Sequence, residues 1–295
     1  MTVRAIPLET VFLDVPAAAL AAYEAALRSV CATVGLFPDE AGGVWRLEGV
    51  KPVGVQDGAL TAGLALAALL SGVAAPLARR PVAAEGWRAR SDASFPEQRV
   101  GRRFALRGSH LRGPTAPGRI TLVLDAGAAF GSGEHGSTRG CLRALERLAP
   151  HRPHRVLDLG TGSGVLAMAA ARLWHRRVLA ADVDPWAVRV AAANARRNGL
   201  APLLRCVRAN GWQGPVVRGG APYDLVLANI LARPLCAMAR DLARHLAPGG
   251  RVVLAGLLAG QARAVLAAHR RGGLALVARL AEGPWTTLIL RGRGG

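Results

Sequence analysis

Three groups of residues in this 295-residue chain have types and spacing suited to chemistry. The first is Val156-Leu-Asp-Leu-Gly-Thr-Gly-Ser-Gly-Val165, an apolar strand running into a turn with glycines at 160, 162 and 164, followed by an alanine-rich helical stretch. Glycines let the backbone approach a ligand, and a helix start presents unpaired N–H groups. A second apolar strand ends in Asp182, 22 residues after Gly160, where a carboxylate can accept hydrogen bonds from ribose hydroxyls. Together these residues read as a site for a nucleoside-bearing cofactor. The second group is Asn229, at the end of the apolar strand Asp224-Leu-Val-Leu-Ala228. Its amide carbonyl can accept from an incoming amine while its NH₂ donates elsewhere. A helix-capping asparagine is the rival reading, weakened by Pro234, which places the next helix start later. The third is the glycine-dense loop Ala129-Phe-Gly-Ser-Gly-Glu-His-Gly-Ser-Thr138. It suits a flap carrying Glu134, His135, Ser137 and Thr138, although Ser137 or Thr138 equally suits capping the helix that follows.

The spacing separates two cofactor classes. A dinucleotide fingerprint needs G-x-G-x-x-G, whereas here the third glycine comes one residue early and Val165 holds the fingerprint's last position. Asp158, two places before the first glycine, suits a cationic partner and sits awkwardly beside a pyrophosphate. The pattern resembles the acid-x-G-x-G-x-G motif of class I S-adenosylmethionine (SAM) methyltransferases. Asp184, just before Pro185, reads as a helix N-cap, and Asp182 as the ribose ligand.

The elements that must position these groups alternate from Ile120 onward. Strands are expected at 120–124, 155–159, 178–182, 203–208, 223–228, 251–255, 274–279 and 285–290, with helices between them. Nearly continuous apolar strands separated by helices predict a doubly wound parallel sheet in an α/β domain spanning 120–295. Residues 1–80 read as a small α+β unit: a strand over Thr10 to Val15, a helix from Pro16 to Val34, strand pieces at 44–47 and 51–55, then an alanine-rich helix. This order predicts a ferredoxin-like module whose last strand is not visible. The polar, proline-bearing stretch 81–119 reads as a linker.

Composition bounds the rest. The formal charge is +19, but residues 1–80 carry six basic and seven acidic side chains, so the surplus lies beyond them. Almost all of it is arginine, in scattered doublets such as Arg102-Arg103 and Arg270-Arg271 without interleaved aromatics, so no stable nucleic-acid binding is expected. The four cysteines (31, 141, 206 and 236) lack ligand spacing; reduced thiols and no metal are expected. No secretory signal is visible. Gly58 to Ala78 is uncharged, yet small residues and Pro76 favour an internal helix over a membrane span.

In order along the chain, Phe130-Gly-Ser-Gly-Glu-His135, Leu157-Asp-Leu-Gly-Thr-Gly-Ser-Gly-Val-Leu-Ala167, Asp182-Val-Asp-Pro185 and Ala228-Asn-Ile-Leu-Ala232 resemble the ribosomal protein L-eleven methyltransferase family. The resemblance runs from about Trp87 to Leu290; residues 1–80 resemble that family's recognition domain in size and pattern only. It implies a class I methyltransferase Rossmann-like domain behind a small ferredoxin-like domain that recognises substrate. SAM is the implied cofactor, and the implied substrate is the amino groups of a large-subunit ribosomal protein. The implied cofactor contacts are Thr138, Gly160, Asp182 and Asn229, to which the glycine turn itself adds Gly162; Asn229 is also expected to be catalytic. A cytoplasmic monomer is expected, and ribosomal RNA or another protein is the alternative substrate. Departures from the family pattern are Ser132 for threonine, Gly136 for proline or alanine, and Thr161 for cysteine.

Overall fold

The structure is a computed structural model that describes residues 7–31, 33–39, 43–81, 97–124 and 136–293. The chain divides into two compact units, Met1–Ser91 and Asp92–Gly295.

The first unit runs β1 (Leu8–Pro16), α1 (Leu20–Arg28), β2 (Thr33–Pro38), β3 (Val44–Pro52), α2 (Asp57–Ser71) and β4 (Ala78–Pro81). The strands form one antiparallel sheet in the order β2-β3-β1-β4, the βαββαβ ferredoxin-like topology. Along β1 and β3 every second residue is buried: Val11, Leu13 and Val15, then Trp45 and Leu47. Leu20, Tyr23 and Leu27 of α1 and Leu60 of α2 are buried as well, with α1 packed on β1, β2, β3 and α2. Two expectations change. The first helix stops at Arg28, where the Ser29 hydroxyl donates to the Ala26 carbonyl (2.7 Å) and the Val30 N–H turns to the Leu27 carbonyl (3.2 Å). The released chain forms β2, and the strand pieces expected at 44–47 and 51–55 give way to one strand, β3, which ends at Pro52 before a turn. Lys51, the sole lysine, is fully buried there; its Nζ donates to Glu9 (2.9 Å), Asp57 (2.7 Å) and the Pro52 carbonyl (3.0 Å). Arg79 donates to the same two carboxylates, tying β4 to β1 and α2.

The second unit opens with β5 (Gln98–Val100), β6 (Phe104–Gly108) and β7 (Ile120–Leu124), which form their own three-stranded sheet. The stretch expected as a linker, 81–119, therefore holds two strands within its described part. The reason is Arg107. Its charge disguises an otherwise apolar buried strand, because the guanidinium is satisfied by the carbonyls of Pro114 (2.8 Å) and Arg112 (2.6 Å). Then come α3 (Gly136–Leu148), β8 (Val156–Leu159), α4 (Val165–Trp174), β9 (Val178–Asp182), α5 (Pro185–Arg197), β10 (Leu204–Arg208) and α6 (Pro215–Gly219). They are followed by β11 (Tyr223–Asn229), α7 (Ala232–His245), β12 (Leu246–Leu258), α8 (Ala262–Arg271), β13 (Ala275–Glu282) and β14 (Trp285–Arg291).

The seven-stranded sheet has the order β10-β9-β8-β11-β12-β14-β13, so the strand expected at 120–124 lies outside it. Strands β10 to β12 in that order are parallel, while β14 is antiparallel to both neighbours. Only two residues, Gly283 and Pro284, separate β13 from β14, and a connection that short can join only antiparallel strands. The sheet is buried on both faces. Val156, Leu225, Leu227 and Val253 meet the apolar sides of α3, α4 and α5; Leu157, Leu159, Val226 and Leu254 meet α7 and α8. Each such side chain contributes about 1.5–3 kcal/mol on burial. The order in which successive strands are added reverses between the parallel neighbours β8 and β11, which opens a crevice outside the carboxyl ends of those strands. Among the described residues no helix is long and apolar enough to cross a membrane.

Candidate functional site

The glycine turn closes the carboxyl end of β8. Gly160, Gly162 and Gly164 have φ of 70°, 54° and 81°, a region other residues adopt only with strain. A side chain at Gly160 would run into Ile230, and a Cβ at Gly164 would lie 3.0 Å from that of Ala191 on α5. The third glycine therefore serves close approach of α5 to the start of α4. Backbone N–H groups of Gly160 and Thr161 donate to the Ala181 carbonyl (2.8 and 3.1 Å), hanging the turn on β9.

Asp182 stands at the end of β9 as expected. Its Oδ2 accepts from the Gly162 N–H (2.9 Å) and its Oδ1 from the Asp184 N–H (3.0 Å). A carboxylate offers about four acceptor positions, so both oxygens retain capacity for hydroxyl donors. Asp184 caps α5 by accepting from the Trp186 N–H (2.8 Å), the capping role read from Asp-Pro.

Asp158 lies behind the turn, 1% exposed. Its Oδ2 accepts from the Thr161 hydroxyl (2.7 Å) and the Ala167 N–H (3.1 Å), while its Oδ1 is buried with no partner. Burial pushes this carboxyl up to about 7, against the pull of those hydrogen bonds and with help from the Asp182 charge. Thr161 thus holds an acid, a role its departure from the family's cysteine did not reveal.

Asn229 and Thr138 are 91 residues apart in sequence and meet in space: the Asn229 amide donates to the Thr138 hydroxyl at 3.4 Å. Thr138 is almost fully buried in the first turn of α3. That turn is seated on the β13–β14 hairpin, where a Cβ at Gly136 would come 2.7 Å from Trp285 Cδ1 and 2.9 Å from the Glu282 carbonyl. Arg139 and Arg143 pair with the Glu282 carboxylate and hold the helix in place. The glycine that replaces the family's proline or alanine thus makes room for Trp285. Beyond Asn229 the chain crosses β12 at Gly256 (φ 80°), where any side chain would overlap the Ile230 backbone. Gly256, Glu282 and Trp285 escaped the sequence reading because only pairing of distant strands brings them near Asn229. Residues 129–135 of the loop, with Glu134 and His135, lie outside the described residues.

The residues present fit a cofactor with a ribose at one end and a cation at the other. Asp182 has spare acceptor capacity, the glycines leave room for close backbone approach, and the unpartnered Asp158 oxygen suits a positive group.

Known proteins sharpen this. The family model for ribosomal protein L11 methyltransferase (PrmA) matches residues 63–293. The ribosomal protein L11 methyltransferase of Bradyrhizobium diazoefficiens is 52% identical over 190 residues, which is 64% of this chain and 64% of the relative. That of Rhizobium meliloti is 48% identical over 216 residues, covering 73% of this chain and 74% of the relative. Among solved structures, a ribosomal protein L11 methylase from Lactobacillus delbrueckii subsp. bulgaricus superposes with a TM-score of 0.59 at 28% identity. That match covers 68% of this chain and 99% of the other.

Proposed function

Because the chain belongs to the ribosomal protein L11 methyltransferase family, we propose that it transfers methyl groups from SAM to amino groups of ribosomal protein L11. The observation that carries this reading is the meeting of Asn229 with Thr138 at the crevice that also holds the glycine turn and Asp182. Asp182 binds the ribose hydroxyls, Gly160 and Gly162 bring backbone close to the cofactor, and Asp158 faces its cationic amino acid end. Bound SAM supplies a methyl group already activated on a sulfonium sulfur.

This chain's residues then have mainly to position and desolvate the acceptor. Thr138 engages the Asn229 NH₂, which leaves the amide carbonyl to accept a hydrogen bond from the substrate amine and aim its lone pair. The amine attacks in its neutral form, and its proton passes to solvent. The N-terminal unit selects the substrate, and the enzyme works as a cytoplasmic monomer. Incubation with labelled SAM, purified ribosomal protein L11 and ribosomal RNA tests the proposal. Label in the protein supports it. Label in RNA alone would establish the alternative, an activity that would account for the +19 charge.

A further inference from the structure

The candidate cofactor residues stand at the carboxyl ends of the parallel strands, where open α/β sheets bind their ligands. At the opposite, amino end lies a second hollow of about 310 Å³, within the range of small-molecule pockets. It opens on the row where Arg251 of β12 pairs with Leu225 of β11 and Leu225 with Val156 of β8. Asn229 is four residues further along β11, roughly 13 Å away at the rise of a parallel strand.

The walls of this hollow carry two arginines and two histidines against one carboxylate. His151, Arg152, His154 and Arg251 line it, with Trp174 beside them and Asp224 as the single carboxylate. Asp224 forms no ion pair with Arg251; its Oδ2 instead accepts from the backbone N–H groups of His154 and Arg155, both at 2.8 Å. Arg251 is half-buried. One terminal nitrogen donates to the Gly249 carbonyl, the other lies 3.3 Å from His151 Nε2, and its Nε is buried without a partner. Arg291 sits directly opposite it on β14. Burial, and then that neighbouring charge, weaken the guanidinium's hold on its proton. A half-buried guanidinium beside a second one is costly unless an anion joins it. Arg152 is further held at φ 45° at the end of the turn Ala149–His151, a backbone strain that persists only when the surroundings enforce it.

We propose that this hollow is a phosphate-binding site distinct from the methyl-transfer crevice, with Arg251 and His151 as its principal donors and Arg152 and His154 at its mouth. A guanidinium fork beside imidazoles matches the oxygens of a phosphate group. That group belongs either to a small phosphorylated molecule or to a nucleic-acid backbone.

Isothermal titration of the full chain with inorganic phosphate, adenosine monophosphate and a single-stranded oligoribonucleotide, at constant ionic strength, tests this. Saturable phosphate binding is expected, weakened about tenfold or more in Arg251→Gln and in His151→Gln, with SAM affinity unchanged in both. His151 is exposed on a turn, so its variant keeps the test open should Arg251→Gln fail to fold. If the oligoribonucleotide competes with phosphate, the ligand is a nucleic-acid backbone; if only the small phosphates bind, it is a phosphorylated small molecule. Absence of saturable phosphate binding at millimolar concentration, or binding that His151→Gln leaves unaltered, would overturn the proposal.

Discussion

The two sheets of this chain bury their residues differently. The seven-stranded sheet is covered on both faces, and the residues proposed to bind the cofactor cluster where strands end and the backbone turns. The four-stranded sheet buries one face against α1 and α2 and leaves residues of the other exposed: Val44 and Phe37 are 42% and 50% exposed, and Phe12 lies between Arg46 and Arg80. Helix α2 also presents Leu66, Leu69 and Leu70 at 55%, 81% and 71% exposure. The family match begins at residue 63, so most of the first unit lies outside it. A site that grips a cofactor with backbone constrains residue types at fixed spacings. A surface that selects a partner is constrained by shape and charge, which many sequences can satisfy.

That contrast breaks most readily at Asp182. Asp182→Ala should weaken SAM binding by about a hundredfold or more in calorimetry, since charged hydrogen bonds to two hydroxyls and to the Gly162 N–H are lost. Unchanged affinity would remove Asp182 from the ribose. Asn229→Ala should then lower turnover about tenfold to a hundredfold while SAM affinity changes little; an equal loss in both would make Asn229 a cofactor residue only.

Positions on the face of the first unit's sheet that carries Phe12 and Arg46 should behave in the opposite way. Phe12→Ala with Arg46→Ala should raise the KM for ribosomal protein L11 about tenfold and leave SAM affinity and kcat alone. A changed SAM affinity would mean that the two units do not divide their labour as proposed.

A smaller effect is expected from pH. Asp158 titrates at about 7 in the fold against an unfolded value near 3.8, so its burial favours the neutral acid, and the stability this contributes is lost as pH rises through 7. A cationic cofactor favours the carboxylate. SAM affinity should therefore rise several-fold up to about pH 7 and level off above it, and Asp158→Asn should flatten the profile. A slope that persists in the variant would assign the titration elsewhere.

The smallest effect lies far from either surface. His269 is fully buried on α8, its Nδ1 against the Val265 carbonyl (2.9 Å), and burial lowers its hold on a proton. Neutral in the fold, it costs nothing above its unfolded value of 6.5 and destabilises progressively as pH falls below it. Thermal melts should show a loss of up to about 1 kcal/mol between pH 7 and 5.5 that His269→Met abolishes; parallel slopes for both proteins would exclude it.

Much of the second unit was legible because its strands are apolar throughout and its helices carry one apolar side. Seven of the eight strands expected from Ile120 onward lie in the sheet. The eighth, at 120–124, pairs instead with a strand hidden behind Arg107, whose buried charge is satisfied by carbonyls that no pattern announces. In the first unit β2 was missed because Gly35 interrupts its alternation. That glycine gives room to the Phe37 ring, which lies 2.8 Å from where a Cβ would be.

The sequence by itself determined the cofactor class, the glycine turn and the acids at 158, 182 and 184, because backbone conformation and capping act within a few residues. It also singled out Asn229 and Thr138. Only the tertiary structure decided that these two touch, that Trp285 and Glu282 seat the helix carrying Thr138, and that a cation-lined hollow lies at the far end of the same sheet. Each depends on strand order, and strand order is set by how whole faces bury one another rather than by any local run of residues.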